Sequence, residues 1–536
     1  MGNGLPDIAP EERTPVVVAL LEIIRQQQEL IQQLRDEIAI LKGQKPRPKI
    51  QPSRLEQPQP STATAEQGDK KRRPGSAKRS KNMELTIHQD IYLPVTGAPT
   101  GSVTVTWEPF TVQDLVFQPW NTRYWRQVIR TPDGQTVRAP LPELVPGFPH
   151  FGATLVSYLI YQHHHNHVTQ PLLLEELREV GIDISAGQIN NTLTEDKDAF
   201  HEEKDEILQA GLQVSAYVGV DDTGARHDGK NGYCTHIGND LFAYFESTDN
   251  KSRLNFLQIL RQPHTDYVIN DTALAYWERQ EVPANVVEQL RSGPHEFADA
   301  SAWEAWLKHL GITAERLVRS ATEGALLGSL IAHGVSPDLV ILSDGALQFD
   351  VLVHASCWIH AERPLLRMVP YSDAHRAAIA KIRDQIWMLY RDLKAYRQQP
   401  DPAQKPVLEA RFDALVEQHT DFANINQVLK DMRQRKSDLL RVLEQPAVPL
   451  HNNISETHVR DYVKKRKISG GTRSDAGRRC RDTFASLKKT CRCLGIAFWQ
   501  YLVDRVRNLG KIARLASAIR QRAAETPPPT VLAAPT

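Results

Sequence analysis

Along the chain the period of the apolar positions changes several times, and each change marks a different kind of element. Between residues 14 and 42, Leu20, Ile24, Gln27, Ile31, Leu34, Ile38 and Leu41 recur at alternating spacings of four and three. That is an a/d seam of about three heptads and predicts a coiled-coil helix through which chains self-associate. Gln27 is its one polar seam position, where a buried amide would fix register. Residues 43–83 lose all periodicity and are crowded with Pro, Gln, Ser and Lys, which predicts a disordered basic linker. Short alternating runs (Leu85–Ile87, Val103–Trp107, and a stretch holding Tyr124, Val128 and Ile129) predict a small β module over 84–148, with Pro132–Asp133–Gly134 as a turn.

Helical periodicity occupies 149–205. Two helices flank Gly181, the second opening at Ser185, so the segment reads either as a helix-turn-helix DNA reader or as an ordinary helical hairpin. From 212 the pattern turns to strands. Val214, Ala216, Val218 and Val220 share one face, and Gly232–Ile237 with Leu241–Phe245 predict a hairpin across Gly238–Asn239–Asp240. Leu339–Leu342 predicts a fully buried strand. The first part of a core is thus expected over 212–370. A helical insertion follows over 371–448, with Ile382, Ile386, Leu389, Leu393, Leu408, Phe412 and Leu415 at helical spacing. Residues 449–522 complete the core with basic helices, and 523–536 form a Pro-rich disordered tail. The fold class expected is α/β.

Composition narrows the partners. A formal net charge of +1 argues against a simple nucleic-acid coat, yet Arg460 to Arg522 holds 18 Lys and Arg against 4 Asp and Glu. Five cysteines are too few and too scattered for a disulfide framework and fit reduced thiols. No apolar run is long enough for a membrane span and the N-terminus is no signal peptide, so a soluble, cytoplasmic, nucleoid-associated protein is expected.

The candidate chemistry lies in three acids spread over more than two hundred positions: Asp221, Asp344 and Glu456. Singly each has an ordinary explanation. Asp221 or Asp222 precedes Thr223–Gly224 as a turn residue, Asp344–Gly345 is a common turn pair, and Glu456 stands three residues after Asn453 as in a capping box. Together, two acids at strand exits and one on a helix are what a two-metal site needs, since Mg²⁺ is a hard ion that takes oxygen ligands. Arg460, Lys464, Lys465, Arg466, Lys467 and Arg473 follow the third acid closely. They read either as a solvated helix face or as phosphate contacts. Cys357 and His360, in Cys-x-x-His spacing without a second pair, are expected to support Asp344 from beneath rather than bind zinc. The His163–His167 run spreads round its helix, so its four imidazoles are not expected to converge on a metal.

Val220–Asp221–Asp222–Thr223, Asp344–Gly345 followed by Cys357–Trp358–Ile359–His360–Ala361–Glu362–Arg363, and Asn452–Asn453–Ile454–Ser455–Glu456 with Arg460 and Arg466–Lys467 resemble, in order and spacing, the motifs of a DDE transposase. Within that class the chain is most similar to the insertion-sequence family numbered sixty-six, over roughly residues 150–510. Thr457 stands where that family has Arg. A cysteine-rich zinc segment often follows the family's coiled coil, but this chain has no cysteine before Cys234. The resemblance implies an RNase H-like (retroviral-integrase-like) core carrying the helical insertion. It implies two Mg²⁺ ions, replaceable by Mn²⁺, held by Asp221, Asp344 and Glu456, with Asp222 an alternative first ligand and Asn453 a supporting residue. Its partners would be double-stranded DNA, namely the element's terminal inverted repeats and the target, with room for accessory proteins encoded nearby. The rival readings are a non-catalytic DNA-binding relative and a scaffold driven by the coiled coil.

Overall fold

A computed structural model describes residues 86–97, 99–100, 102–103, 106–141 and 150–525. The seam at 14–42, the linker at 43–83 and the tail from 526 lie outside the described residues. The chain divides into two compact units, residues 1–111 and 112–536. In the first, the described residues hold no helix or strand, and Tyr92 packs edge-on against Trp107. The strand expected around Val103–Trp107 is therefore absent at its described positions. In the second, the expected module is one hairpin, β1 (Val128–Arg130) and β2 (Thr136–Arg138), closed over Thr131–Gly134. Among the described residues no second layer covers these two strands. Every residue of both is exposed, as are Trp120 and Trp125 before them.

The helices begin with α1 (Ala153–His164), α2 (Gln170–Glu179), α3 (Ala186–Thr194) and α4 (Asp198–Val214). Gly181, at φ +86°, turns the chain after α2, and Ser185 with Gln188 forms a complete capping box at the start of α3. Val214, expected on the first strand, ends α4 instead.

The centre is a five-stranded mixed sheet built from β3 (Tyr217–His227), β4 (Lys230–Gly238), β5 (Ala243–Thr248), β8 (Val340–Ser343) and β9 (Val353–Ser356), in the order β5-β4-β3-β8-β9. β3, β4 and β5 pair antiparallel, while β8 and β9 lie parallel to β3 on its other side. Val218, Val220, Ile341 and Leu342 are buried, as a strand covered on both faces requires. Between β5 and β8 the chain makes an excursion through α5 (Arg253–Arg261), β6 (Tyr267–Val268), α6 (Asp271–Arg279), α7 (Ala284–Arg291), β7 (Glu296–Phe297), α8 (Ala300–His309) and α9 (Glu315–Ala332). After β9 come α10 (Trp358–Arg367), α11 (Asp373–Gln398), α12 (Lys405–Val416), α13 (Ala423–Gln434) and the single turns α14 (Lys436–Leu439) and α15 (Arg441–Glu444). These helices bury a core of their own, containing Ile382, Ile386, Leu389, Leu393, Leu408, Phe412 and Leu415 around Trp358.

The chain closes with α16 (Asn453–Ser469), α17 (Asp475–Cys493), α18 (Phe498–Val506) and α19 (Leu515–Glu525). β5 is a sheet edge, and its outward N–H groups need partners. α17 supplies them from one polar stripe: Ala243 N–H donates to Thr490 Oγ1 (3.1 Å), Phe245 N–H to Ser486 Oγ (2.9 Å) and Ser247 N–H to Asp482 Oδ2 (2.8 Å). Two residues of strand advance ~6.8 Å and four of helix ~6 Å, so alternate strand positions meet every fourth helix position.

Candidate functional site

The site is assembled by strand register. Gly219 pairs with Leu342 across the parallel ladder, so Asp221 and Asp344 each stand two residues further along neighbouring strands. They therefore reach the same end of the sheet. β3 does not stop at Asp221 as expected. It runs on to His227, paired with β4 throughout, and turns at Asp228–Gly229. Asp344 is exposed just beyond β8, and its Oδ1 accepts from Ala346 N–H (3.0 Å).

The third acid arrives on α16. Gly219 lets that helix approach: a Cβ there would sit 2.5 Å from both Asn452 Oδ1 and Ser455 Oγ. Buried Asn452 donates from Nδ2 to the Val220 carbonyl (2.7 Å), while its N–H meets Cys357 Sγ (3.4 Å). Cys357 N–H donates to the Ser343 carbonyl (2.9 Å), one residue before Asp344. Cys357 thus links the end of β8 to the start of α16. Asn453, the supporting residue expected, is exposed; its neighbour Asn452 is the buried anchor. No side-chain cap forms at the start of α16, so Glu456 closes no capping box. It faces α10, where Arg363 Nη2 approaches Glu456 Oε1 (3.4 Å). His360 Nε2 is 3.6 Å from the same oxygen, but it also receives Arg363 Nη1 at 2.7 Å. Burial and the Arg363 guanidinium push the His360 imidazole down, so we assign the ionic contact with Glu456 to Arg363.

Asp221 feels the neighbouring acids. Burial first, then the charges of Asp344, Asp222 and Glu456, push the Asp221 carboxyl up to about 7. Asp222 is also raised by burial, but it is satisfied elsewhere, accepting from Thr235 Oγ1 (2.6 Å) and Gln348 Nε2 (3.1 Å). The triad's oxygens do not all close to within 4.8 Å of one another. Among the described residues only His264, Asp266 and His333 form a His/Cys/Asp/Glu group that does so. An all-oxygen donor set with excess negative charge suits a hard divalent cation.

The basic residues divide. Arg460, Lys464 and Lys467 are exposed at spacings of four and three along α16, on the face that begins with Glu456, and Arg473 is exposed beyond it. Lys465 is buried and donates to the His163 carbonyl. Arg466 turns to the Gly224 carbonyl and to Thr223 Oγ1. The four imidazoles of the His163–His167 run go to different partners. His163 meets the Val168 carbonyl, His164 packs on Phe484, His165 stacks on Tyr161 and His167 reaches Asp461.

A five-stranded mixed sheet with Asp221 and Asp344 at one end and a basic helix packed on it defines an α/β protein. A family model described as transposase IS66 family matches residues 345–479. That span holds Cys357, His360, Glu456 and the basic run, and begins one residue after Asp344. A Sinorhizobium fredii (strain NBRC 101917 / NGR234) protein, described as uncharacterized protein y4jO, is 40% identical over 321 residues. The alignment takes in 59% of this chain and the whole of that one. The chain belongs to the transposase IS66 family. Among the described residues no helix is long and apolar enough to cross a membrane.

Proposed function

We propose that the chain is a DDE-type transposase that cuts DNA at the ends of its own mobile element and joins the freed 3′ ends to target DNA. The sheet is then an RNase H-like core, with α11–α15 inserted between its second and third acids. One observation supports the reading most: strand register carries Asp221 and Asp344 to the same end of the sheet, and α16, packed closely on Gly219, brings Glu456 towards them.

Asp221, Asp344 and Glu456 would hold the Mg²⁺ pair, with Mn²⁺ as a substitute. The chemistry such a pair supplies is activation of the attacking oxygen and charge stabilisation at the leaving 3′ oxygen. The chain's own residues do the positioning. Arg363 steadies Glu456, Asn452 and Cys357 tie α16 to β3 and β8, and Arg460, Lys464, Lys467 and Arg473 contact the phosphates of the bound end. The seam at 14–42 pairs chains, so that two DNA ends are held together.

The test is transposition in cells of a marker flanked by the DNA that borders this gene. The unaltered chain is compared with Asp344→Ala at equal protein level. Movement with the first and none with the second is expected. Movement with Asp344→Ala would sink the assignment.

A further inference from the structure

On the α5–α9 excursion, three potential ligands from separate segments meet. His264 lies in the connection after α5, Asp266 immediately precedes β6, and His333 caps the C-terminal end of α9. One ligand atom from each lies within 4.8 Å of the others. His333 Nε2 stands 3.0 and 3.1 Å from the two Asp266 oxygens. The His264 and His333 rings lie face to face, 3.4 Å between centroids and 1° from parallel.

We propose that His264, Asp266 and His333 form a second metal site, separate from the acid triad, for one divalent transition-metal ion of the zinc class. Two imidazoles and one carboxylate are borderline-soft donors, unlike the all-oxygen triad, and they suit zinc rather than magnesium. Donors bound ~2.1 Å from a tetrahedral ion stand about 3.4 Å apart, close to the His333–Asp266 separation. An outer partner is in place: Ser329 Oγ donates to Asp266 Oδ1 (3.0 Å). Such contacts orient ligands. All three ligand residues are partly exposed, which gives an ion entry and leaves water to complete the coordination. The ion would pin the connection between α5 and β6 to the end of α9, the helix that leads into β8. A His333–Asp266 hydrogen bond with His264 merely stacked on it is the competing account.

The full chain carrying Asp221→Ala, Asp344→Ala and Glu456→Ala, so that the first site contributes nothing, is stripped with chelator and titrated calorimetrically with zinc chloride. About one equivalent should bind, with a rise in thermal midpoint. In that background His264→Ala and His333→Ala should each abolish tight binding, and Ser329→Ala should weaken it ~10–100-fold. No binding, or binding indifferent to both histidines, overturns the site. Should the histidine variants fail to fold, zinc-edge X-ray absorption on the triple-acid variant decides. A nitrogen and oxygen shell with imidazole scattering supports the site, and a sulfur-containing or fully hydrated shell overturns it.

Discussion

Replacing Asp221 with Asn should stabilise the ion-free protein at pH 8 and leave it almost unchanged at pH 4. Burial and the neighbouring acids raise the folded-state carboxyl from 3.8 to about 7. Between those values the folded chain keeps a proton that the unfolded chain has released. Stability therefore falls as pH rises from about 4 to 7, and the full penalty is present above 7. Roughly three pH units at ~1.36 kcal/mol each set an upper bound near 4 kcal/mol. Asn keeps the shape and removes the charge, so Asp221→Asn should recover roughly 2–4 kcal/mol at pH 8. The assay is urea unfolding with chelator at pH 4 and pH 8. Adding magnesium should then narrow or close that gap. The unaltered chain gains ~2.7 kcal/mol at a hundredfold excess over Kd, while Asp221→Asn gains little. Ion uptake near pH 7 should also release protons, because a bound carboxylate must ionise. If Asp221→Asn destabilises the ion-free chain at pH 8, or shifts it equally at both pH values, the crowded-carboxylate account is wrong.

Gly219→Ala would place a methyl 2.5 Å from Asn452 and Ser455, costing about 1–3 kcal/mol and displacing Glu456. Cleavage of a labelled DNA end should drop ~100-fold, and unaltered cleavage would refute the close-approach argument. Asn452→Ala strands a buried carbonyl and should cost ~1–3 kcal/mol in urea unfolding, against under ~0.5 for exposed Asn453→Ala; equal effects would contradict the anchor assignment. Ser486→Ala removes the partner of the Phe245 N–H and should cost ~1–3 kcal/mol, with faster amide exchange along β5 as the local readout. Burial, then Lys465, pushes the His163 imidazole down to about 4, so the unfolded chain protonates it first as pH falls. The stability it contributes is intact above about 6.5 and lost towards 4, on the order of 3 kcal/mol, and His163→Gln should flatten that limb of the pH–stability curve.

Much of the candidate site was legible because short-range pattern records it. The alternation through Val218 and Val220, the apolar run to Leu342 and the helical spacing from Ile382 to Leu415 reflect burial that each element needs wherever it docks. The acids stood out against those runs, but their motifs did not say which neighbours would hold them. Asn452 and Asn453 are identical in sequence terms, and only the packing of α16 on Gly219 decides which one is buried. Lys465 reads as one more charge in a basic run, yet it lies on the helix face turned to α1. The α5–α9 excursion went unread within an expected core. The polar stripe Asp482, Ser486 and Thr490 looks like solvent face until an unpaired strand edge lies against it. The sequence by itself determined which residue types were available and where the chain's period changes, since those follow from local propensity and hydrophobic spacing. Only the tertiary structure decided that Gly219 pairs with Leu342, and so that Asp221 and Asp344 share one end of the sheet, because register is fixed by contacts between strands more than a hundred residues apart.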